Sequence, residues 1–350
     1  MKALVLRGVG EIAVVDKEVP QPGPREAVVQ TTVSLICTTD VHIVHGAIPI
    51  EAGRTLGHES VGVVSAVGSD VHGVSPGDRV AVAAATPCGR CDDCQRGAPG
   101  QCGGMLGSYR FTAQMDGNMA EYFLVNDAEY NLAVIPDAVS DEQAVYAADM
   151  LSTGFAAAVD ADLPLGGTAA VFGLGAVGLS AGMGLRLLGA GLLIGVESDP
   201  VRADLARRLG FDLVIDHTQG DPVEKILAAA GGAGVDAAVE AVGLPETFTN
   251  ALRATRPGGT MVNVGVHGEA GDTLTMSVAD LGLGAGDKRI MFTLCRGGKE
   301  WLSRLLRLIE HGRVDPTLMT THRFPFADVE KAFRLMERKE DGVVKPLITY

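Results

Sequence analysis

From Thr168 onward the chain alternates short apolar runs with helical stretches, and few folds accept that pattern. The runs are TAAVFG, LLIGVE, LVID, VDAAVEAVG, GTMVNVG and RIMFTL; between them lie AVGLSAGMGLRLLG, PVRADLARRLG, DPVEKILAAAG and PETFTNALRATRPGG. Strands joined by helical crossovers make a parallel sheet covered on both faces. The expectation is an α/β, doubly wound domain of the Rossmann type. Residues 169–196 carry Arg186 as their only charge. That length approaches the roughly 20 apolar residues of a membrane span. The glycine spacing within it and the acid that follows, Glu197, favour a buried strand–helix–strand unit instead.

The first turn of that domain carries Gly173-x-Gly175-x-x-Gly178, after a strand and before a helix. The first glycine permits the tight turn, the second lets backbone approach a pyrophosphate, and the third packs helix on strand. Ala176 and Val177 then open the helix whose free N–H groups face the phosphates. Glu197, 19 positions past Gly178, stands where a carboxylate accepts hydrogen bonds from the adenosine ribose. Its charge repels a 2′-phosphate, so NAD is expected over NADP, with Ser198 and Arg202 able to soften that preference.

The chain's 350 residues, 47% of them apolar, are ample for two cores. The first 130 residues are strand-like and turn-rich, as in EAVVQTTVSLI and SVGVVSAVGSDV. The expected division is a catalytic domain of residues 1–150, completed by 287–350, and a nucleotide-binding domain of 151–286. KEWLSRLLRLIEHG reads as an amphipathic helix and GVVKPLITY as a strand returning to the first domain. A net charge of −14 argues against a general affinity for nucleic acid or anionic membrane. The N-terminus alternates like a strand and lacks the apolar core of a secretory signal, which implies a cytoplasmic location.

Four of the six cysteines, Cys88, Cys91, Cys94 and Cys102, fall within fifteen residues as C-x2-C-x2-C-x7-C. Four thiolates on one loop suit a closed, structural zinc site. An iron–sulfur cluster fits the first three but lacks the ending of a ferredoxin run. A nucleic-acid-binding zinc module is disfavoured by the acidic CDDC within the loop. A second set is dispersed: Cys37, the adjacent His58 and Glu59, and Asp149. Taken singly, Cys37 is an ordinary buried thiol, His58 a satisfied turn histidine and Asp149 a helix cap. Together, three ligands of S, N and O type leave one zinc position open for water or substrate, the catalytic arrangement.

GHESVGVVSAVGSDV resembles the signature of zinc-containing medium-chain alcohol dehydrogenases, and the similarity extends through CTTDVH, PGDRV, GGMLG, ADMLSTGF, VFGLGAVGL and GVDAAVEAVG. The chain is most similar to the tetrameric bacterial secondary alcohol dehydrogenases. The resemblance implies a β-rich, GroES-like catalytic domain with an inserted Rossmann domain, and hydride transfer in a cleft between them. It implies zinc on Cys37, His58 and Asp149, with Glu59 able to enter the metal's sphere. It also implies a proton relay in which Thr39 bonds the substrate oxygen and His42 delivers the proton to solvent. By the same resemblance Ala85, Tyr109, Leu294 and Cys295 wall the substrate pocket, and Val264, Val266 and Leu294 join the cofactor contacts.

Two departures stand out. NADP-dependent members have Gly-Ser-Arg where this chain has Glu197-Ser198-Asp199, which again favours NAD. Ala85 and Tyr109 replace the Ile and Trp of some relatives, leaving room for bulkier ketones. The expected protein is an NAD-dependent zinc enzyme interconverting secondary alcohols and ketones, with one catalytic and one structural zinc per chain. It is expected to be a homo-oligomer, a tetramer by resemblance or else a dimer. Competing readings are a polyol, primary-alcohol or aldehyde dehydrogenase of the same superfamily, and a non-catalytic zinc-bearing binding protein.

Overall fold

The computed structural model describes residues 1–267 and 273–350. The chain forms two compact units, Met1–Ser152 with Cys295–Tyr350, and Thr153–Leu294. The first is β-rich. Its main sheet runs in the order Thr320–Pro325, Lys345–Thr349, Ala27–Leu35, Ser60–Val67, Arg79–Val82, Leu132–Val134, with Tyr122–Val125 also paired to Ala27–Leu35. Pairing is antiparallel except between the two C-terminal strands. The C-terminal strand Lys345–Thr349 lies against Ala27–Leu35, so the tail does return to this unit. The core holds Leu4, Ile36, Leu56, Phe333 and Ile348, with Val29, Val80 and Phe123 in a second cluster.

The second unit is a six-stranded parallel sheet in the order Leu213–Ile215, Leu192–Val196, Thr168–Phe172, Val235–Glu240, Thr255–Asn263, Arg289–Phe292. The chain moves outward in one direction from Thr168–Phe172, then restarts beside it with Val235–Glu240. That reversal creates the crevice where dinucleotides bind in doubly wound sheets. The apolar segment 169–196 is strand, a helix Ala176–Leu187, and strand. Among the described residues no helix is long and apolar enough to cross a membrane.

Two boundaries differ from expectation. Residues 287–294 lie in the second unit, where Arg289–Phe292 pairs with Thr255–Asn263. Among the described residues the approach to that strand holds a short turn at Gly282–Gly284 and no crossover helix. The helix Pro245–Ala254 also stops before TRPGG, and the next strand starts at Thr255. Pro257 has no N–H to continue a helix and pushes Arg256 toward an extended conformation.

Candidate active site

His58 and Glu59 immediately precede strand Ser60–Val67, Cys37 caps the short helix Thr38–Val44, and Asp149 precedes helix Met150–Asp160. Folding brings all four together: one ligand atom from each lies within 4.8 Å of the others, and all four are buried. His58 Nε2 stands 3.7 Å from Asp149 Oδ2 and 3.9 Å from Glu59 Oε1. Ligands bound at about 2.0–2.3 Å around a tetrahedral ion are separated by roughly 3.3–3.8 Å, so the donor set fits zinc.

The electrostatics point the same way. Burial opposes an imidazolium at His58, yet Asp40, Cys37 and Asp149 outweigh it and raise the pKa well above the ordinary value. A cage that so favours positive charge suits a cation. Glu59 is pushed up by burial against the pull of Lys345, and its Oε2 has no hydrogen-bond partner among the described residues.

Two residues assigned no role from sequence complete the surroundings. Asp40 is fully buried; it accepts from Cys37 N at 3.2 Å and Gly57 N at 3.0 Å, and its Oδ1 lies 3.5 Å from His58 Nδ1. It thus orients the imidazole so that Nε2 faces the cluster. Lys345 is also buried and donates to Glu59 Oε1 at 2.6 Å and Ile36 O at 3.1 Å. Burial works against its ammonium, but Glu59 and Cys37 hold its pKa above the usual lysine value. The lone charge in the apolar run VVKPLI was the available signal. Asp40→Asn is expected to weaken zinc retention by about 10–100-fold, read by competition with a chromogenic chelator; unchanged retention would remove Asp40 from the site.

Thr39 Oγ1 lies 3.5 Å from Cys37 Sγ. His42 sits in the last turn of the same helix, half-buried, and its pKa is lowered by burial and then by Lys339 and His45. Ala84, Ala85 and Cys295 form one small buried cluster with Tyr109 packed on it. Cys295 Sγ lies 3.3 Å from Ser152 Oγ, near Asp149 in sequence. The phenol pKa of Tyr109 is raised far above its usual value by burial, then by Cys295 and Asp149. Three of the expected wall residues therefore meet; Leu294 is the last residue of the second unit.

The four-cysteine loop also closes on itself. Cys91 Sγ lies 3.5 Å from Cys94 Sγ and 3.8 Å from Cys102 Sγ, near the roughly 3.8 Å edge expected for Zn–S bonds of about 2.3 Å. Cys88 Sγ accepts from Cys91 N at 3.3 Å and Cys102 Sγ from Cys88 N at 3.2 Å. Hydrogen bonds, first from the Cys94 backbone, lower the Cys91 pKa to about 6, whereas burial raises that of Cys94 to about 12.

In the second unit, Gly173 adopts φ +85°, the left-handed turn conformation expected of the first glycine. A Cβ on Gly178 would fall 1.9 Å from Gly173 O, so only glycine fits. A Cβ on Gly175 would meet nothing within 4 Å among the described residues, an open cradle at the N-cap of helix Ala176–Leu187. Ala176 is buried, Val177 is partly exposed, and Val264 and Val266 follow strand Thr255–Asn263. Glu197 accepts from Leu174 N at 3.2 Å, Ser198 N at 2.9 Å and Asp199 N at 3.0 Å, with Arg202 Nη1 at 3.8 Å from Oε2. Its carboxylate offers about four acceptor sites, leaving one for a further donor.

Comparison with known proteins agrees with this architecture. Residues 23–137 match the alcohol dehydrogenase GroES-like domain, and residues 176–311 match the zinc-binding dehydrogenase domain. The chain is 40% identical to an alcohol dehydrogenase of Cupriavidus necator, over 99% of this chain and 97% of that one. It is 41% identical to the NADP-dependent isopropanol dehydrogenase of Thermoanaerobacter brockii, over 99% of each. Among solved structures, alcohol dehydrogenase TADH from Thermus sp. ATN1 superposes with a TM-score of 0.91 at 31% identity, covering 100% of this chain and 99% of that one. The β-rich unit with its buried S, N and O donors and the parallel-sheet unit with its glycine turn are those of one family, and the chain belongs to the zinc-containing medium-chain alcohol dehydrogenases, close to the bacterial secondary alcohol dehydrogenases.

Proposed function

We propose that this zinc alcohol dehydrogenase interconverts secondary alcohols and ketones with NAD, holding its catalytic zinc on Cys37, His58 and Asp149. The observation that carries the reading is the convergence of those donors with Glu59, all within 4.8 Å. Zinc bound there supplies a Lewis acid that lowers the pKa of a coordinated hydroxyl, and a bound nicotinamide dinucleotide supplies the hydride acceptor.

The chain's own groups do the rest. Asp40 fixes the His58 ring, and Lys345 holds Glu59 by Oε1, which keeps that carboxylate beside the cluster as a reserve ligand. Thr39 Oγ1, beside Cys37, is the first acceptor for the substrate hydroxyl proton. His42, kept neutral near neutral pH by its lowered pKa, is able to take that proton onward. Alcohol oxidation is therefore expected to fall as pH drops through the His42 pKa, because an imidazolium has no free acceptor.

The glycine turn and helix N-terminus bind the pyrophosphate, and Glu197 takes the adenosine ribose with its remaining lone pair. Relatives described as NADP-dependent favour the other cofactor; the acid at Glu197 opposes a 2′-phosphate. Ala85, which packs with Cys295 and Tyr109, is smaller than the isoleucine of some relatives, and that lost volume is the ground for proposing space for bulkier ketones. On a substrate panel of acetone, butanone and acetophenone, followed by the near-ultraviolet absorbance of reduced nicotinamide, kcat/KM for acetophenone should at least equal that for acetone. A strict preference for acetone would refute the enlarged pocket, and no turnover with any secondary alcohol would refute the substrate class.

Homo-oligomer formation, a tetramer by family resemblance, is part of the same proposal. Arg289–Phe292 ends the parallel sheet with Met291 42% and Phe292 62% exposed, an apolar edge suited to a second copy. A cytoplasmic, reducing compartment suits the six free thiols.

A further inference from the structure

The second unit contains a buried acid that the roles above leave unused. Glu240 ends strand Val235–Glu240 and is fully buried. Its Oε1 accepts from Val242 N at 2.8 Å, Gly243 N at 2.9 Å and Thr247 Oγ1 at 2.7 Å. Its Oε2 has no hydrogen-bond partner among the described residues; His267 Nε2 stands 3.9 Å away and is bonded instead to Asn263 Oδ1 at 3.0 Å.

The position matters more than the burial. In register, Glu240 lies beside Phe172, the residue before Gly173, across the point where the strand order reverses. Glu197 follows the strand on the adenosine side of that point; Glu240 ends the strand on the other side, the nicotinamide half of such sheets. The acid organises both turns there. It holds Val242 and Gly243 through Oε1, and its backbone carbonyl accepts from Val264 N at 2.9 Å and Gly265 N at 3.1 Å. The turns are in close contact: a Cβ on Gly265 would fall 2.3 Å from Glu240 Oε2, and one on Gly243 would fall 2.3 Å from Val266 O.

We propose that Glu240 is a positioning residue for the nicotinamide half of the cofactor, setting the turns at 241–243 and 264–266 while its free oxygen supplies a counter-charge that favours the oxidised, cationic ring over the reduced one. The inference rests on the dinucleotide reading above. A carboxylate fixed in a low-dielectric interior acts on a nearby cation without solvent reorganisation. Reduction removes the ring's positive charge and with it this attraction.

The test is the pair of dissociation constants for NAD+ and NADH, measured by calorimetry on the zinc-loaded protein, or for the NADP pair if the wild type prefers it. Glu240→Gln keeps an acceptor at Oε1 and removes the charge. Its Kd for the oxidised form should rise about tenfold, with that for the reduced form nearly unchanged. A purely structural role would move both constants together, and an unchanged ratio overturns the proposal. Glu240→Asp gives the complementary arm should the glutamine variant not fold. It keeps the charge but shortens the reach to Val242 and Gly243, so both constants should rise by a similar factor. A collapse of the ratio in that variant also overturns the proposal. A wild-type protein that binds neither dinucleotide would instead sink the cofactor reading itself.

Discussion

Cys37→Ser is expected to lower alcohol turnover by more than about a thousandfold while the protein stays folded. The thiolate is the soft, anionic member of the donor set, and a serine hydroxyl is a poor, neutral substitute for it at zinc. The fold should survive because the bonds that fix this segment run through its backbone: Cys37 N donates to Asp40, and Asp40 also takes Gly57 N. The neighbouring Ile36 and Ile43 belong to a large core cluster that does not depend on Sγ. The four-cysteine loop is a separate group of ligands and should retain its own metal. Metal content should therefore fall from two zinc ions per chain toward one, with little change in the thermal midpoint. Wild-type turnover in the serine variant would show that the chemistry lies elsewhere.

The second large effect is at the adenosine end. Glu197→Gly combined with Asp199→Arg should shift the ratio of kcat/KM for NAD over NADP by about 100- to 1000-fold toward NADP. Losing a charged acceptor for the ribose costs NAD roughly 1.5–3 kcal/mol, and replacing acid by base favours a 2′-phosphate. The structure adds a cost. Glu197 also receives Leu174 N from the glycine turn, and Asp199 Oδ1 caps helix Pro200–Arg208 by accepting from Arg202 N at 2.9 Å. Loss of that cap should lower stability by about 1 kcal/mol. An unchanged cofactor ratio would mean that Glu197 serves only the turn.

Motifs that are local in the chain are legible in the sequence. The glycine turn, Glu197 and the four-cysteine loop each act within a few residues or one strand–helix–strand unit, so spacing reports geometry. The dispersed residues Cys37, His58 and Asp149 are weak signals singly, and it is their combination with the family resemblance that points to a shared site, where their side chains do converge. Partners made by tertiary pairing were invisible. Lys345 reaches Glu59 across 286 positions because the last strand lies antiparallel to Ala27–Leu35. Asp40 lay inside a recognised motif, yet its bond to Gly57 N exists only once the two loops meet. Glu240 reads as the polar end of an apolar run until the reversal of strand order places it beside the glycine turn. The strand Arg289–Phe292 belongs to the second unit, a placement its sequence does not announce because no crossover helix precedes it among the described residues.

The central claim is one zinc ion held by sulfur, imidazole and carboxylate from distant parts of the chain. Diffraction from crystals of the zinc-loaded protein at the zinc absorption edge tests it most directly. Two anomalous peaks per chain are predicted, one among Cys88, Cys91, Cys94 and Cys102, and one bonded to Cys37 Sγ, His58 Nε2 and an Asp149 oxygen at about 2.0–2.3 Å. A single peak in the four-cysteine loop, with nothing among Cys37, His58 and Asp149, would contradict the account.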